Sequence, residues 1–192
     1  MRGALRSGPI GLLPRELEPA VASELDAMPP HGLPRMRLEG DPAGPRQQAL
    51  EELKAGGFGP NRLREWLVND LNFLALMFEQ VTGSRHLSLR LDVIEDDACR
   101  RSHTDNVRFR LVTTYRSPGT GWSPPHTVQG AVPGVPIEPE QIRRMERGWV
   151  AIMRGGRDAS AKPSGVLHRS PPIEGIGVAR LFLAINESSR HP

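Results

Sequence analysis

From Pro60 to Thr82 the chain runs PNRLREWLVNDLNFLALMFEQVT, with Leu63, Leu67, Leu71, Leu74, Phe78 and Val81 recurring at steps of three and four. That spacing draws one apolar stripe along a helix, which packs on the body of the protein. Gly59-Pro60 suits its start. Gly83 suits the left-handed residue just past its end. Beyond Gly83 the period falls to two. In HLSLRLDVIEDD, Leu87, Leu89, Leu91 and Val93 share a face, and in NVRFRLVTTY, Val107, Phe109 and Leu111 do so. GWVAIMRG, GVLHRS and VARLFLAIN follow, each short, apolar and bounded by turn residues. Five short strands after one helix, without βαβ alternation, predict a mainly β fold: a double-stranded β-helix (jelly roll) with an N-terminal helical layer.

Residues 1–58 are interrupted by MPPHGLPR and GDPAGPR and are expected to form an irregular N-terminal arm with short helices, one near Ala20 to Ala27. Residues 59–192 then hold the amphipathic helix and a jelly-roll metal-binding domain. The 192 residues suit one domain with a sizeable core. A net charge of +3 is too small to imply a nucleic-acid partner, and the arginines behind the basic pI are scattered rather than striped. One cysteine excludes an internal disulfide and fits a reducing compartment. No segment has signal-peptide or membrane-span character, so a cytoplasmic protein without a membrane partner is expected. The substrate class is left open among a small molecule, a peptidyl side chain and a nucleobase; oligomeric state is not encoded legibly.

The chemistry concentrates around SHTDNVRFRLVTTY. His103-Thr104-Asp105 alone is compatible with a polar turn, because Asp in turns bonds nearby backbone amides. If the strand starts early, however, His103 and Asp105 share the inward face of Val107, Phe109 and Leu111. A His and a carboxylate there, without an ionic partner, would cost on the order of several kcal/mol. His168, on a later strand segment, supplies a third ligand. Arg180, flanked on its face by Val178 and Phe182, needs an anionic partner. Two His and one carboxylate form the facial triad of non-haem iron sites, which leaves adjacent positions open for a co-substrate and O₂.

The order HTD, His after 62 residues and Arg after 11 more resembles that of Fe(II)- and 2-oxoglutarate-dependent dioxygenases of the double-stranded β-helix fold. The resemblance implies iron at His103, Asp105 and His168, with Arg180 clamping the far carboxylate of 2-oxoglutarate. A second resemblance rests on CRRSHTDNVRFRLVTTYRSPGTGW, HRSPP and ARLFLAIN. These segments look like a bacterial family known only as domain of unknown function 1826. It implies that Cys99, His103, Asp105, Tyr115, Trp122, His168 and Arg169 belong to one site without assigning their roles; Tyr115 is a candidate, beside Arg180 and Arg169, for binding the co-substrate. Ser117 and Gly121 depart from that family's Gly and Glu, in a loop that touches substrate details rather than the metal.

Three readings stay open. In the first the protein is the oxygenase. In the second Cys99 joins His103, Asp105 and His168 in a closed zinc site of a metal-handling protein; otherwise Cys99 is a small buried side chain. In the third the chain is a metal-free jelly-roll interaction domain. Arg169 has the wrong parity to face inward beside His168, unless a kink at SPP makes it the carboxylate clamp in place of Arg180. Trp122 either lines a substrate entrance or closes the barrel end. His126 is a substrate-side candidate in the Pro-rich loop, or a solvated loop residue. Arg108 and Arg110 are expected on a solvated sheet face, and Arg154-Gly155-Gly156 as a turn.

Overall fold

The computed structural model describes residues 1, 3, 5, 8–97, 99, 101–116, 118–124, 141–157 and 165–188. Among these, three α-helices precede most of the strands: α1 (Pro19–Ala27), α2 (Pro45–Ala55) and α3 (Asn61–Thr82). The strands are β1 (Ile10–Leu13), β2 (Met36–Gly40), β3 (Leu87–Ile94), β4 (Phe109–Arg116), β5 (Gly121–Trp122), β6 (Arg143–Arg144), β7 (Val150–Arg154), β8 (His168–Arg169) and β9 (Arg180–Glu187). They form a six-stranded sheet, β1-β7-β4-β9-β3-β2, and a three-stranded sheet, β6-β5-β8. Every pairing is antiparallel, and the two sheets make a double-stranded β-helix. No helix among the described residues is long and apolar enough to cross a membrane.

The stripe on α3 buries Leu63, Leu67, Leu71, Leu74 and Phe78 against the large sheet. Each such side chain contributes about 1.5–3 kcal/mol on leaving water. Gly83 ends the helix at φ 78°, its N–H donating 2.7 Å to Glu79 O. The sheet answers with Leu87, Leu89 and Leu91 of β3, Leu111 of β4, Val150 and Ile152 of β7, and Leu181, Leu183 and Ile185 of β9. The apolar face of the strands therefore packs on the helices. The opposite face of the same strands lines the interior of the barrel.

The expected irregular arm is corrected by the strand pairing. Ile10–Leu13 pairs with Val150–Met153 at one edge of the large sheet, and Met36–Gly40 pairs with Leu87–Leu91 at the other. Both are short and hemmed by Pro and Gly, so periodicity alone does not announce them. Arg15 fastens the arm. Its Nη1 and Nη2 donate to the two Asp70 oxygens at 2.5 and 2.9 Å, and its Nε donates to Gly148 O at 2.8 Å. Tyr115 Oη donates to the same Asp70 carboxylate at 2.7 Å, beneath the edge of Trp66. Burial, with the Asp70 charge beside it, holds the Tyr115 phenol well above its ordinary value.

A second apolar cluster of Val112, Trp122, Met145, Ala151, Met153 and Val166 joins the two sheets on their β7 side. The interior on the side of β9 and β3 is left as a cavity of about 620 Å³.

Candidate metal centre

His103 and His168 face each other across an isolated antiparallel bridge, each backbone N–H donating to the other's carbonyl at 3.0 Å. Their ring centroids lie 4.6 Å apart. His103 Nδ1 is 3.0 Å from Arg101 O, and His168 Nδ1 is 3.0 Å from Val166 O. A carbonyl only accepts, so each Nδ1 carries a proton, and Nε2 is the nitrogen whose lone pair a metal would take in place of a proton. Asp105 completes the group: Oδ2 lies 3.2 Å from His168 Nε2, and Oδ1 lies 3.9 Å from His103 Nε2. One ligand atom from each residue lies within 4.8 Å of the other two. Two imidazole lone pairs and a buried carboxylate at that separation fit the donor set of a divalent transition metal.

The loop that carries Asp105 is framed by the Arg154-Gly155-Gly156 turn. Gly155 N donates to Arg108 O at 2.9 Å and Gly156 N to Asp105 O at 2.7 Å. A Cβ on Gly155 would stand 2.1 Å from Val107 O, so only glycine permits this approach. The turn was legible in the sequence, but its frame role was not, since its partners are backbone atoms.

The expected common face of His103, Asp105, Val107, Phe109 and Leu111 does not form. β4 starts at Phe109, the preceding loop breaks the alternation, and Leu111 turns to the helices. The site is reached from the even-numbered face of β4 instead. There Arg110, expected to be solvated, donates through Nη1 to Asp105 Oδ1 and through Nε to Asn186 Oδ1 at 2.7 Å. Burial works to raise the Asp105 carboxyl, but the hydrogen bond and charge of His168, then Arg110 and His103, outweigh it and hold the group below the usual carboxylate range. Arg108 keeps its expected outer position, paired with Glu187 at 3.3 Å.

Arg180 lines the same cavity and is only 1% exposed. Its Nη2 donates to Thr114 Oγ1 at 3.1 Å and Thr120 Oγ1 at 2.5 Å, and Nη1 reaches Ser170 Oγ at 3.4 Å. Nε has no partner, and no carboxylate pairs with the guanidinium among the described residues. Burial lowers it to about 10, partly offset by the Cys99 charge. Such a cation awaits an anion.

Of the other candidates, Arg169 lines the cavity, half-buried. Cys99 also lines it but is exposed, not buried, and lies outside the three-residue cluster. Tyr115 sits on the helix-facing side of β4, bonded to Asp70, and does not join the site. Odd-numbered positions of β4 all turn that way. Trp122 pairs with His168 through the backbone, yet its ring fills the cluster between the sheets, so it closes the barrel rather than lining an entrance. His126 lies outside the described residues.

Two solved structures share the fold. A dioxygenase for auxin oxidation from Arabidopsis thaliana, solved with 2-oxoglutarate, superposes with a TM-score of 0.53 at 10% identity, over 90% of this chain and 77% of that one. A dioxygenase for auxin oxidation in rice gives 0.55 at 13% identity, over 97% and 75%. No curated protein sequence matches the chain. The pattern of the family described as a protein of unknown function, DUF1826, matches residues 8–186, and the chain belongs to that family.

Proposed function

We propose that this protein is a mononuclear Fe(II)- and 2-oxoglutarate-dependent oxygenase acting on a small molecule or a peptidyl side chain. One observation carries the reading: a His-Asp-His cluster, through His103 and His168, and a buried arginine with no counter-ion among the described residues open into the same cavity. The first fits a metal with open positions, and the second fits a carboxylate. The cavity volume suits a small molecule or one side chain.

His103 and His168 Nε2 and one Asp105 oxygen would hold the metal. Iron bound there supplies the redox chemistry that couples decarboxylation of a 2-oxo acid and reduction of O₂ to oxidation of a C–H bond. The protein's part is binding, orientation and exclusion of water. The carbonyls of Arg101 and Val166 fix both imidazoles in the metal-ready tautomer. Arg180 takes the far carboxylate of the co-substrate, with the Thr114 and Thr120 hydroxyls holding the guanidinium in place. Val112, Ala184 and Phe182 make that part of the wall apolar, which shields the reacting centre. The closed zinc set needs Cys99 as a fourth ligand, and its position outside the cluster favours the open site.

The test is metal content of anaerobically purified wild type beside His103→Ala, followed by 2-oxoglutarate turnover to succinate. Iron near one per chain, lost in the variant, with succinate formed only by wild type, supports the oxygenase. Zinc lost also in Cys99→Ala would establish the metal-handling role instead. A wild type that binds no metal after reconstitution would leave HTD as a polar turn.

A further inference from the structure

Arg110 stands opposite Asn186 in the β4–β9 register, and both side chains line the cavity. Arg110 Nε is committed to Asn186 Oδ1 at 2.7 Å, and Nη1 to Asp105 Oδ1. Two anchored N–H groups fix the plane of a guanidinium. With Oδ1 so engaged, Oδ2 is the oxygen turned toward His168 Nε2.

We propose that Arg110, held by Asn186, is a positioning residue that keeps Asp105 a one-oxygen metal ligand and so reserves a coordination position for the 2-oxo acid. The inference rests on the metal-centre reading above. Its electrostatic sign is distinctive. The carbonyls behind His103 and His168 strengthen their ligands, because they accept a proton-bearing dipole. A guanidinium on a carboxylate does the reverse: it draws charge from the donor oxygen and adds a positive charge near the metal. Freed from Arg110, the carboxylate can close on the metal with both oxygens. Removing Arg110 should therefore tighten metal binding while weakening the co-substrate. A residue that merely props the loop would loosen both.

Co(II) is the probe, titrated into metal-free wild type, Arg110→Ala, Arg110→Lys and Asn186→Ala and followed by its d–d absorption. 2-Oxoglutarate is then titrated into each cobalt form. Arg110→Ala is expected to bind Co(II) about threefold to tenfold more tightly and 2-oxoglutarate at least about tenfold more weakly. Arg110→Lys keeps the charge without the two-point hold and recovers part of the co-substrate affinity. Asn186→Ala shifts both affinities in the same directions by less, and serves as a check if Arg110→Ala folds poorly. Weaker Co(II) binding by Arg110→Ala, or an unchanged 2-oxoglutarate affinity, would overturn the role of Arg110 while leaving the metal centre intact. A wild type that takes up no Co(II), or takes it up as well as His103→Ala does, would overturn the metal centre itself.

Discussion

The two faces of the six-stranded sheet divide the protein's work between them. On β9, Leu181, Leu183 and Ile185 turn to the helices and are fully buried, while Arg180, Phe182, Ala184 and Asn186 line the cavity. β4 repeats the division, with Leu111 and Tyr115 against the helices and Arg110 and Val112 in the barrel interior. One residue of register thus separates the surface that packs on the helices from the surface that lines the cavity. The helix-facing side gains its energy from apolar area. The cavity side gives some back, most plainly at Arg180, whose charge is buried without a counter-ion among the described residues.

Damage to the helix-facing side should be the costliest. Phe78, 0% exposed on α3, loses a full aromatic side chain in Phe78→Ala, and urea unfolding should show a loss of about 3–5 kcal/mol. The folded fraction should still bind one Co(II) per chain; a lost site would mean the faces are not separable. Substitution on the cavity side should run the other way. Arg180→Met removes the buried charge and is expected to raise stability by about 1–4 kcal/mol in the same titration. Calorimetry should show its 2-oxoglutarate affinity reduced by at least about tenfold. Unchanged affinity would hand the carboxylate to Arg169.

Smaller changes sharpen the same contrast. Tyr115→Phe deletes one hydrogen bond to Asp70 and should cost about 1 kcal/mol without altering co-substrate affinity. A selective loss of that affinity would return Tyr115 to the site. The smallest effect is one of pH. Arg180 gives up its proton at about 10 in the folded protein, earlier than an ordinary arginine in the unfolded chain. Over that interval the unfolded state holds more protons, so stability rises with pH. The penalty is complete below about 10 and fades above it, so the stability gap between Arg180→Met and wild type should narrow from about pH 9 to about pH 11. A constant gap would mean that Arg180 is not destabilising through its charge.

The sequence carried α3 and the longer strands because their periodicity is uninterrupted, and Gly83 marked the helix end through its backbone requirement. β1 and β2 were hidden by length and by neighbouring Pro and Gly, although Met36 and Leu38 do alternate with Arg37 and Glu39. His103, Asp105, His168 and Arg180 were legible from order and residue type. Arg110 was not, because the more apolar face of β4 packs on the helices and its more polar face lines the barrel interior. In a sheet sandwiched between helices and a second sheet, both faces are covered, and the more apolar one belongs to the helices. The even positions Arg110 and Val112 of β4 and Arg180, Phe182, Ala184 and Asn186 of β9 line the cavity, with Thr114 bonded to Arg180. Tyr115 followed from family resemblance, and it turns to the helices with Leu111, whose parity it shares.

Both edges of the large sheet are supplied by the first forty residues, and this has a consequence for how the chain folds. Ile10 waits for Met153, and Leu87 for Glu187, so few of the sheet's contacts close while synthesis is still under way. So nonlocal a topology folds slowly, and the open strand edges stay exposed to other chains meanwhile. Expression that slows synthesis or lowers temperature should raise the yield of folded protein more than any change to the cavity does.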